Sequence, residues 1–255
     1  MSSSQVIALI TVACVFGGAL LGLWLQRLLP KHHLSEDAKD VIKLGAGVIA
    51  TITALVLGLL VSSAKGTFDG ASARIVQTGT NIIILDGLLK RYGPETAGIR
   101  EKVRAQAGAT IHRIWPSERT SESKVAIIER QDMIEVVQGH LRELTPATDA
   151  QRKVLAEAEQ VAGDIARTRW MFVEESQNEL PKPFLIVLVF WLTVLFLSFG
   201  LFAPPRNATI LVALFVCACS MAAAIFLVLE MNRPLDGVIK VSSAPLRKAL
   251  DVVGR

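Results

Sequence analysis

Apolar positions along this chain gather into four blocks, Val6–Leu29, Leu44–Ala64, Phe184–Ala203 and Ala208–Met231, set two and two around a long polar middle. Each block is close to the about 20 residues with which a helix crosses about 30 Å of hydrocarbon. Charged side chains enter the blocks only in their terminal turns. A charge at the centre of a span costs about 2.5–3.5 kcal/mol on insertion scales, so this placement suits a bilayer. The pattern predicts an all-α membrane protein with four transmembrane helices in two hairpins, residues 1–64 and 183–231.

The middle, residues 65–182, shows no strand-like alternation and carries helical spacing instead. Ile75, Ile82 and Leu89 recur every seven residues until Gly93-Pro94 breaks the run. Ile99, Val103, Ala107, Ile111 and Ile114 form a second face, ended by Trp115-Pro116. After a polar loop at Ser117–Ser123, Ile127, Ile134, Val137, Leu141 and Leu144 form a third, ended by Thr145-Pro146. Val154, Ala158, Val161, Ile165, Thr168 and Phe172 alternate steps of four and three, a heptad seam, before Pro181 and Pro183. These helices predict an extramembrane up-down bundle inserted between spans two and three. In the tail, residues 232–255, Leu246, Leu250 and Val253 fall on one side of Ala244–Val253, with Arg247, Lys248 and Arg255 away from them. That amphipathic pattern is expected to lie on a membrane surface.

Charge sharpens the division. Residues 65–182 hold 17 of the 27 Lys and Arg and 17 of the 23 Asp and Glu, so the net charge of +4 comes from short loops and the tail. Basic flanks on spans answer to anionic headgroups. The polar middle has no basic stripe of the kind nucleic acid requires. The first block lacks a positive leader and is longer than a signal-peptide core, so it reads as a permanent span. Cys14, Cys217 and Cys219 all lie in apolar runs and read as small buried side chains. Cys217 and Cys219 are two apart on a helix and face different ways, which excludes joint metal ligation. The adjacent His32 and His33 have no other ligand near them. No metalloprotease, nucleophile-elbow or phosphate-loop motif occurs, and no charge sits deep in a span, where pumps keep theirs. The chain is therefore expected to be neither an enzyme nor a holder of metal or cofactor.

Small residues suggest how the spans associate. Gly18 and Gly22 make one small-xxx-small pair, and Ala46, Ala50, Ala54 and Gly58 make a longer ridge. In lipid such ridges let helices approach closely. They are read as the seam between spans one and two, or between copies of the chain. Thr51 and Thr53 either line a polar path or bond back to their own helix carbonyls, and Ser62 and Ser63 add hydroxyls at the exit. Ser35, followed by Glu36 and Asp37, has the form of an N-cap leading into span two. Asp86 interrupts an apolar stretch and is either a buried charge at a gate or ion site or an edge residue paired with an Arg or Lys. Glu230 and Arg233, three apart, can face each other at the end of span four. Pro234 stops that helix, and Asp236-Gly237 signals a turn.

Two stretches carry a resemblance: Leu44–Lys65, LGAGVIATITALVLGLLVSSAK, and Phe226–Val241, FLVLEMNRPLDGVIKV. With the two-plus-two layout they resemble the bestrophin-like domain family of bacterial membrane proteins, over most of the chain. The resemblance implies a distant likeness to pentameric anion channels and no catalytic residues. The second span has no Phe, a departure from an aromatic-lined neck. The expectation is a homo-oligomeric channel whose span two lines the pore through Thr51, Thr53, Ser62 and Ser63. Glu230, Arg233, Pro234 and Gly237 would then be structural, with the bilayer as partner and an ion as ligand. The alternative is a non-conducting scaffold or sensor whose helical domain binds a protein. Lys65, Arg167, Arg169, Lys182, Arg233, Lys240, Arg247 and Lys248 outnumber Arg27, Lys31, Lys39, Lys43 and Arg206 across the membrane. By the positive-inside rule this places the helical domain and both termini in the cytoplasm of a bacterial inner membrane. The first span, with Arg27 and Lys31 after an uncharged start, argues the other way.

Overall fold

The computed structural model describes residues 3–30, 36–115, 133–175, 182–204, 207–235 and 237–253, and among these described residues there are eight α-helices. They are α1 (Ser3–Leu28), α2 (Glu36–Tyr92), α3 (Ala97–Ile114), α4 (Met133–Glu143), α5 (Asp149–Glu175), α6 (Lys182–Phe202), α7 (Ala208–Met231) and α8 (Ala244–Val252). Among the described residues there is no strand. Four helices are long and apolar enough to cross a membrane: α1, Lys39–Tyr92 within α2, Pro183–Phe202 within α6, and α7. Ser35, His32, His33, the loop at Ser117–Ser123, Pro116, Ile127, Pro181 and Asp236 lie outside the described residues, as do the side chains of Ile134 and Phe172.

The chain divides into two compact units. One gathers Met1–Thr67, Glu179–Arg233 and Gly237–Ile239; the other gathers Phe68–Asn178, Pro234–Asp236 and Lys240–Arg255. In the first unit the closest seam joins α1 to α6. A Cβ on Gly18 would stand 2.7 Å from the Thr193 carbonyl oxygen; one on Gly22 would collide with the Leu197 carbonyl, and one on Gly200 with that of Ala19. The pairings 18 with 193 and 22 with 197 rise together, so α1 and α6 run parallel. Gln26 continues the register by donating from Nε2 to the Ala203 carbonyl at 3.0 Å. Val15, Ala19, Leu188, Leu192, Leu195, Phe196, Ala218 and Ile225 form the buried core where α7 joins. α7 runs antiparallel to α1: Phe16 meets Phe215 edge-on at 5.2 Å, and the Arg233 guanidinium donates to Ser3 Oγ at 2.6 Å. The glycine ridge expected between spans one and two therefore serves α1 and α6. The expected burial of the cysteines is also corrected, since Cys14 and Cys217 are exposed, on faces that this single chain leaves uncovered, and Cys219 is intermediate.

In the second unit, the α2 residues Ala71, Ile75, Ile82, Leu85, Leu88 and Leu89 pack with Ile99, Val103, Ala107 and Ile111 of α3, Val137 and Leu141 of α4, and Ala158 and Ala162 of α5. The break after α2 is built on Gly93, whose φ of 148° favours glycine. The buried Thr96 hydroxyl donates to the Leu89 carbonyl at 2.6 Å, satisfying one of the helix-end acceptors. α5 opens with a capping box: Thr148 Oγ1 accepts from the Gln151 N–H at 3.1 Å, while Gln151 Oε1 accepts from the Ala147 and Thr148 N–H groups. The heptad positions Val154, Val161 and Ile165 are half-buried against this core.

The tail departs from expectation. α8 does not lie with its apolar side on a membrane surface: Leu246, Ala249 and Val253 are buried in the second unit's core, and Leu250 is packed against it. Trp115, 4% exposed, donates its indole N–H to the Val241 carbonyl at 2.8 Å. Gly79 of α2 is glycine because a Cβ there would stand 2.9 Å from the Pro245 carbonyl oxygen. Amphipathicity alone specifies a side to be covered, and here protein covers it.

Where backbone opposes the added carbon, no side chain can swing aside. Gly22→Val and Gly200→Val should each destabilise the first unit by about 3 kcal/mol, the upper end of overpacking costs. Gly17→Val, whose Cβ would meet nothing, should be close to neutral. Thermal unfolding in detergent separates the two classes.

Candidate functional site

Three places were singled out by the sequence: the second span, the end of span four, and Asp86. The second span is the least covered of the four. Only 6% of it is buried, against 17–33% for the others. One side of α2 packs on the first unit's core through Ala46, Ile49, Ala50, Val56, Leu57 and Leu60. The opposite side, including Leu44, Val48, Thr51, Leu55, Gly58 and Ser62, is exposed.

This geometry divides the expected residues. Ala46 and Ala50 are half-buried in the protomer, whereas Ala54 and Gly58 are exposed. A Cβ on Gly58 would meet nothing within 4 Å. The ridge is therefore not one seam within the chain, because a row of every fourth residue drifts about 40° around the helix per step. Thr51, Ser62 and Ser63 lie on the uncovered surface. Thr53 is 4% exposed and turns into the packing of its own unit, so its place among pore-lining residues is corrected. Both threonines bond back along the helix, Thr51 Oγ1 to the Gly47 carbonyl at 2.9 Å and Thr53 Oγ1 to that of Ile49 at 2.7 Å. Such bonds let a hydroxyl sit in an apolar stretch without an unmet donor.

At the end of α7, Glu230 is 1% exposed. Its carboxylate accepts from the Val238 backbone N–H. The Gly237 N–H donates to the Arg233 carbonyl at 3.0 Å, and a Cβ on Gly237 would crowd Glu230 Oε2 at 2.7 Å and the Arg233 carbonyl oxygen at 2.9 Å. The turn closes around the carboxylate only because residue 237 has no side chain. Arg233 reaches Ser3, and its own N–H caps the Glu230 carbonyl at 3.0 Å. The four residues Glu230, Arg233, Pro234 and Gly237 thus form a turn that fixes the helix end, and α1's first residues are tied to it. The Ser3 contact joins residues 230 positions apart and leaves no trace in local sequence. The N-cap of α7 was within reach of sequence reasoning: Asn207 Oδ1 accepts from the Thr209 N–H at 3.0 Å, as an Asn before an apolar run suggests.

Asp86 is the third place, and its paired reading holds. It is 6% exposed and takes a two-pronged contact from Arg100 of α3, Nε at 2.7 Å and Nη2 at 3.0 Å. The hydrogen bond to Asp86, with its charge in support and burial opposing, raises the Arg100 guanidinium above its ordinary range. A raised pKa means that Arg100's contribution is fully present below the ordinary arginine value, so it holds through neutral and mildly alkaline pH and falls away on the alkaline side as the guanidinium deprotonates. Across the same unit, Lys102 Nζ lies 2.6 Å from His140 Nε2. No group of three or more His, Cys, Asp or Glu able to hold a metal occurs among the described residues.

Asp86→Ala should destabilise the second unit by about 2 kcal/mol, because it removes the two-pronged, charge-assisted contact to the half-buried Arg100 guanidinium. The double variant Asp86→Leu/Arg100→Leu should recover most of that loss. Thermal unfolding and protease resistance would show it; equal losses in single and double variants would mean the charges are not coupled.

Compared with known proteins, the chain matches the family model of the bestrophin-like domain over residues 13–246. No curated protein and no solved structure matches it.

Proposed function

The chain belongs to the bestrophin-like domain family, and we propose that it is a homo-oligomeric ion channel of the bacterial inner membrane, passing anions along a path lined by α2. Family membership and four apolar helices fit a membrane protein. The observation that carries the channel reading is the uncovered side of α2. A span packed on one side and bare on the other, with Thr51, Ser62 and Ser63 among its bare residues, is suited to surround a hydrated axis once several copies assemble. Hydroxyls bonded back to the helix can rotate and donate to a passing anion, replacing part of its hydration shell.

In this reading α1 with the first part of α2, and α6 with α7, form two hairpins. The helices of residues 65–182 and both termini lie in the cytoplasm. Glu230, Arg233, Pro234 and Gly237 set the end of α7 and do not touch the ion. No covalent chemistry, metal or cofactor enters. The bilayer is the solvent and other copies of the chain are the partners.

Purified protein in planar bilayers should carry current, and Thr51→Val or Ser62→Glu should change its conductance, whereas Thr53→Val should leave it unaltered. Well-folded oligomers that carry no current would favour a non-conducting scaffold whose helical unit binds a protein. Gly58→Phe is the second test. An added Cβ meets nothing within 4 Å in the chain, so a fall in particle mass by light scattering with unchanged helix content would report contact between copies, and unchanged mass would remove Gly58 from that contact.

A further inference from the structure

We propose that the turn leaving span four, residues 233–240, is a docking surface for anionic phospholipid: Val238 enters the leaflet, and Arg233 and Lys240 take phosphates on either side of it. This rests on the membrane reading above but not on conduction. Val238 lies outside any helix, yet it is 68% exposed. That matches Val41, Leu44 and Ile186, large apolar residues in or beside the apolar stretches of α2 and α6. A single exposed valine means little by itself. Its fixed position and its charged neighbours point to a lipid.

The turn is held at the end of α7. The Val238 backbone N–H donates to the carboxylate of Glu230, in the last helical turn. The Gly237 and Arg233 N–H groups donate to the Arg233 and Glu230 carbonyls. Val238 therefore sits within one glutamate side chain's length of the last turn of an apolar span. The headgroup layer is about 5–8 Å deep on each side of the hydrocarbon, so the valine falls within it. Because the bond uses the backbone, the valine side chain has no part in closing the turn. Arg233 is exposed and is tied to the start of α1 by its bond to Ser3 Oγ. Lys240, two residues beyond Val238, is exposed as well. Residues 232–255 hold five Lys and Arg against Asp236 and Asp251, which accounts for three of the chain's four net positive charges. An apolar tip between cations suits an anionic leaflet, where the apolar group meets the acyl boundary and each cation adds attraction.

Size and sign decide the occupant. One valine between two cations offers far less than the about 800 Å² per partner of a specific protein interface. A second copy of the same turn would bring like charges together. Phospholipid needs neither large area nor a complementary fold, because α1 and α7, long and apolar enough to span, carry the turn to the leaflet surface. The site continues the lipid-facing surface of those two helices. Neutral lipid answers the valine alone; anionic lipid answers the two cations as well.

The test uses full-length protein with Cys14, Cys217 and Cys219 replaced by Ala and an environment-sensitive fluorophore on single cysteines. Val238→Cys is the probe. Ile186→Cys in α6 is the lipid control, and Glu157→Cys, whose native carboxylate pairs with Arg91 near the end of α2, is the aqueous control. Vesicles are phosphatidylcholine alone or mixed equally with phosphatidylglycerol, each with a share of lipid brominated along its acyl chains. The expected result is quenching at 186 in both vesicles, none at 157, and quenching at 238 that is severalfold stronger with phosphatidylglycerol. Arg233→Gln/Lys240→Gln should remove that difference with helix content by circular dichroism unchanged. Lys240→Gln alone, which leaves the tie to Ser3 in place, should weaken it, and Arg233→Lys should keep it. Quenching at 186 without quenching at 238, or quenching at 238 indifferent to phosphatidylglycerol or to loss of the two cations, would overturn the proposal. Absence of quenching at 186 as well would sink the membrane reading and the proposal with it. A protein quenched as expected that carries no current would sink the channel reading and leave this one standing.

Discussion

Close approach of α1 and α6, backbone against backbone, is the contact on which the membrane unit depends. Lipid tails are as apolar as leucine, so spans gain little by hiding apolar surface from one another, and association rests on dispersion between closely fitted atoms. Gly18, Gly22 and Gly200 permit that fit, since a methyl group at any of them would meet a carbonyl of the facing helix. The parallel register these contacts impose then brings Gln26 to Ala203. With α7 antiparallel, the first residues of α1 meet the last turn of the fourth span. The turn at residues 230–238 is built on that end and on the absence of a side chain at 237.

The second unit is held by different means. Its core is built of leucine, isoleucine, valine and alanine from five helices. It adds two devices that depend on single residues: the Asp86–Arg100 pair, and Trp115 bonded to the Val241 carbonyl. α2 takes part in both units as one helix, and its sequence changes character along the way. It is apolar with small residues from Leu44 to Ala64, and from Ile75 to Leu89 it sets buried apolar residues against an outer side without an exposed charge.

Much of this was legible in the sequence, for physical reasons. Lipid-length apolar runs with charges only at their ends leave few alternatives, so the four spans could be read directly. Gly93-Pro94 and Thr145-Pro146 break helices by backbone chemistry, and the breaks fall there. Asp86 amid isoleucine and leucine had to find a partner, and Arg100 lies one turn-around away. What was not legible is which neighbour a side meets. Gly18 and Gly22 announce a close contact without saying whether α2 or α6 makes it. Ala46 and Gly58 share a four-residue row, yet the helix carries them to different sides. Thr51 and Thr53 look alike in sequence, and only packing separates them. The alternation in Ala244–Val253 is the same whether headgroups or a protein core cover it. Of the candidate site, the residue types were readable and their exposure was not.

The tail's place in the second core has a consequence for biogenesis. Ribosomes release residues in order, so the helices from 97 to 175 emerge well before Val241 and α8, which pack against them. Until Val241 and Pro245 have been made, Trp115 lacks its acceptor and the side of α2 at Gly79 lacks its neighbour, and both later apolar helices are synthesised within that interval. The domain therefore matures last although most of it is synthesised midway, and a chaperone or neighbouring chain has that interval in which to act on it.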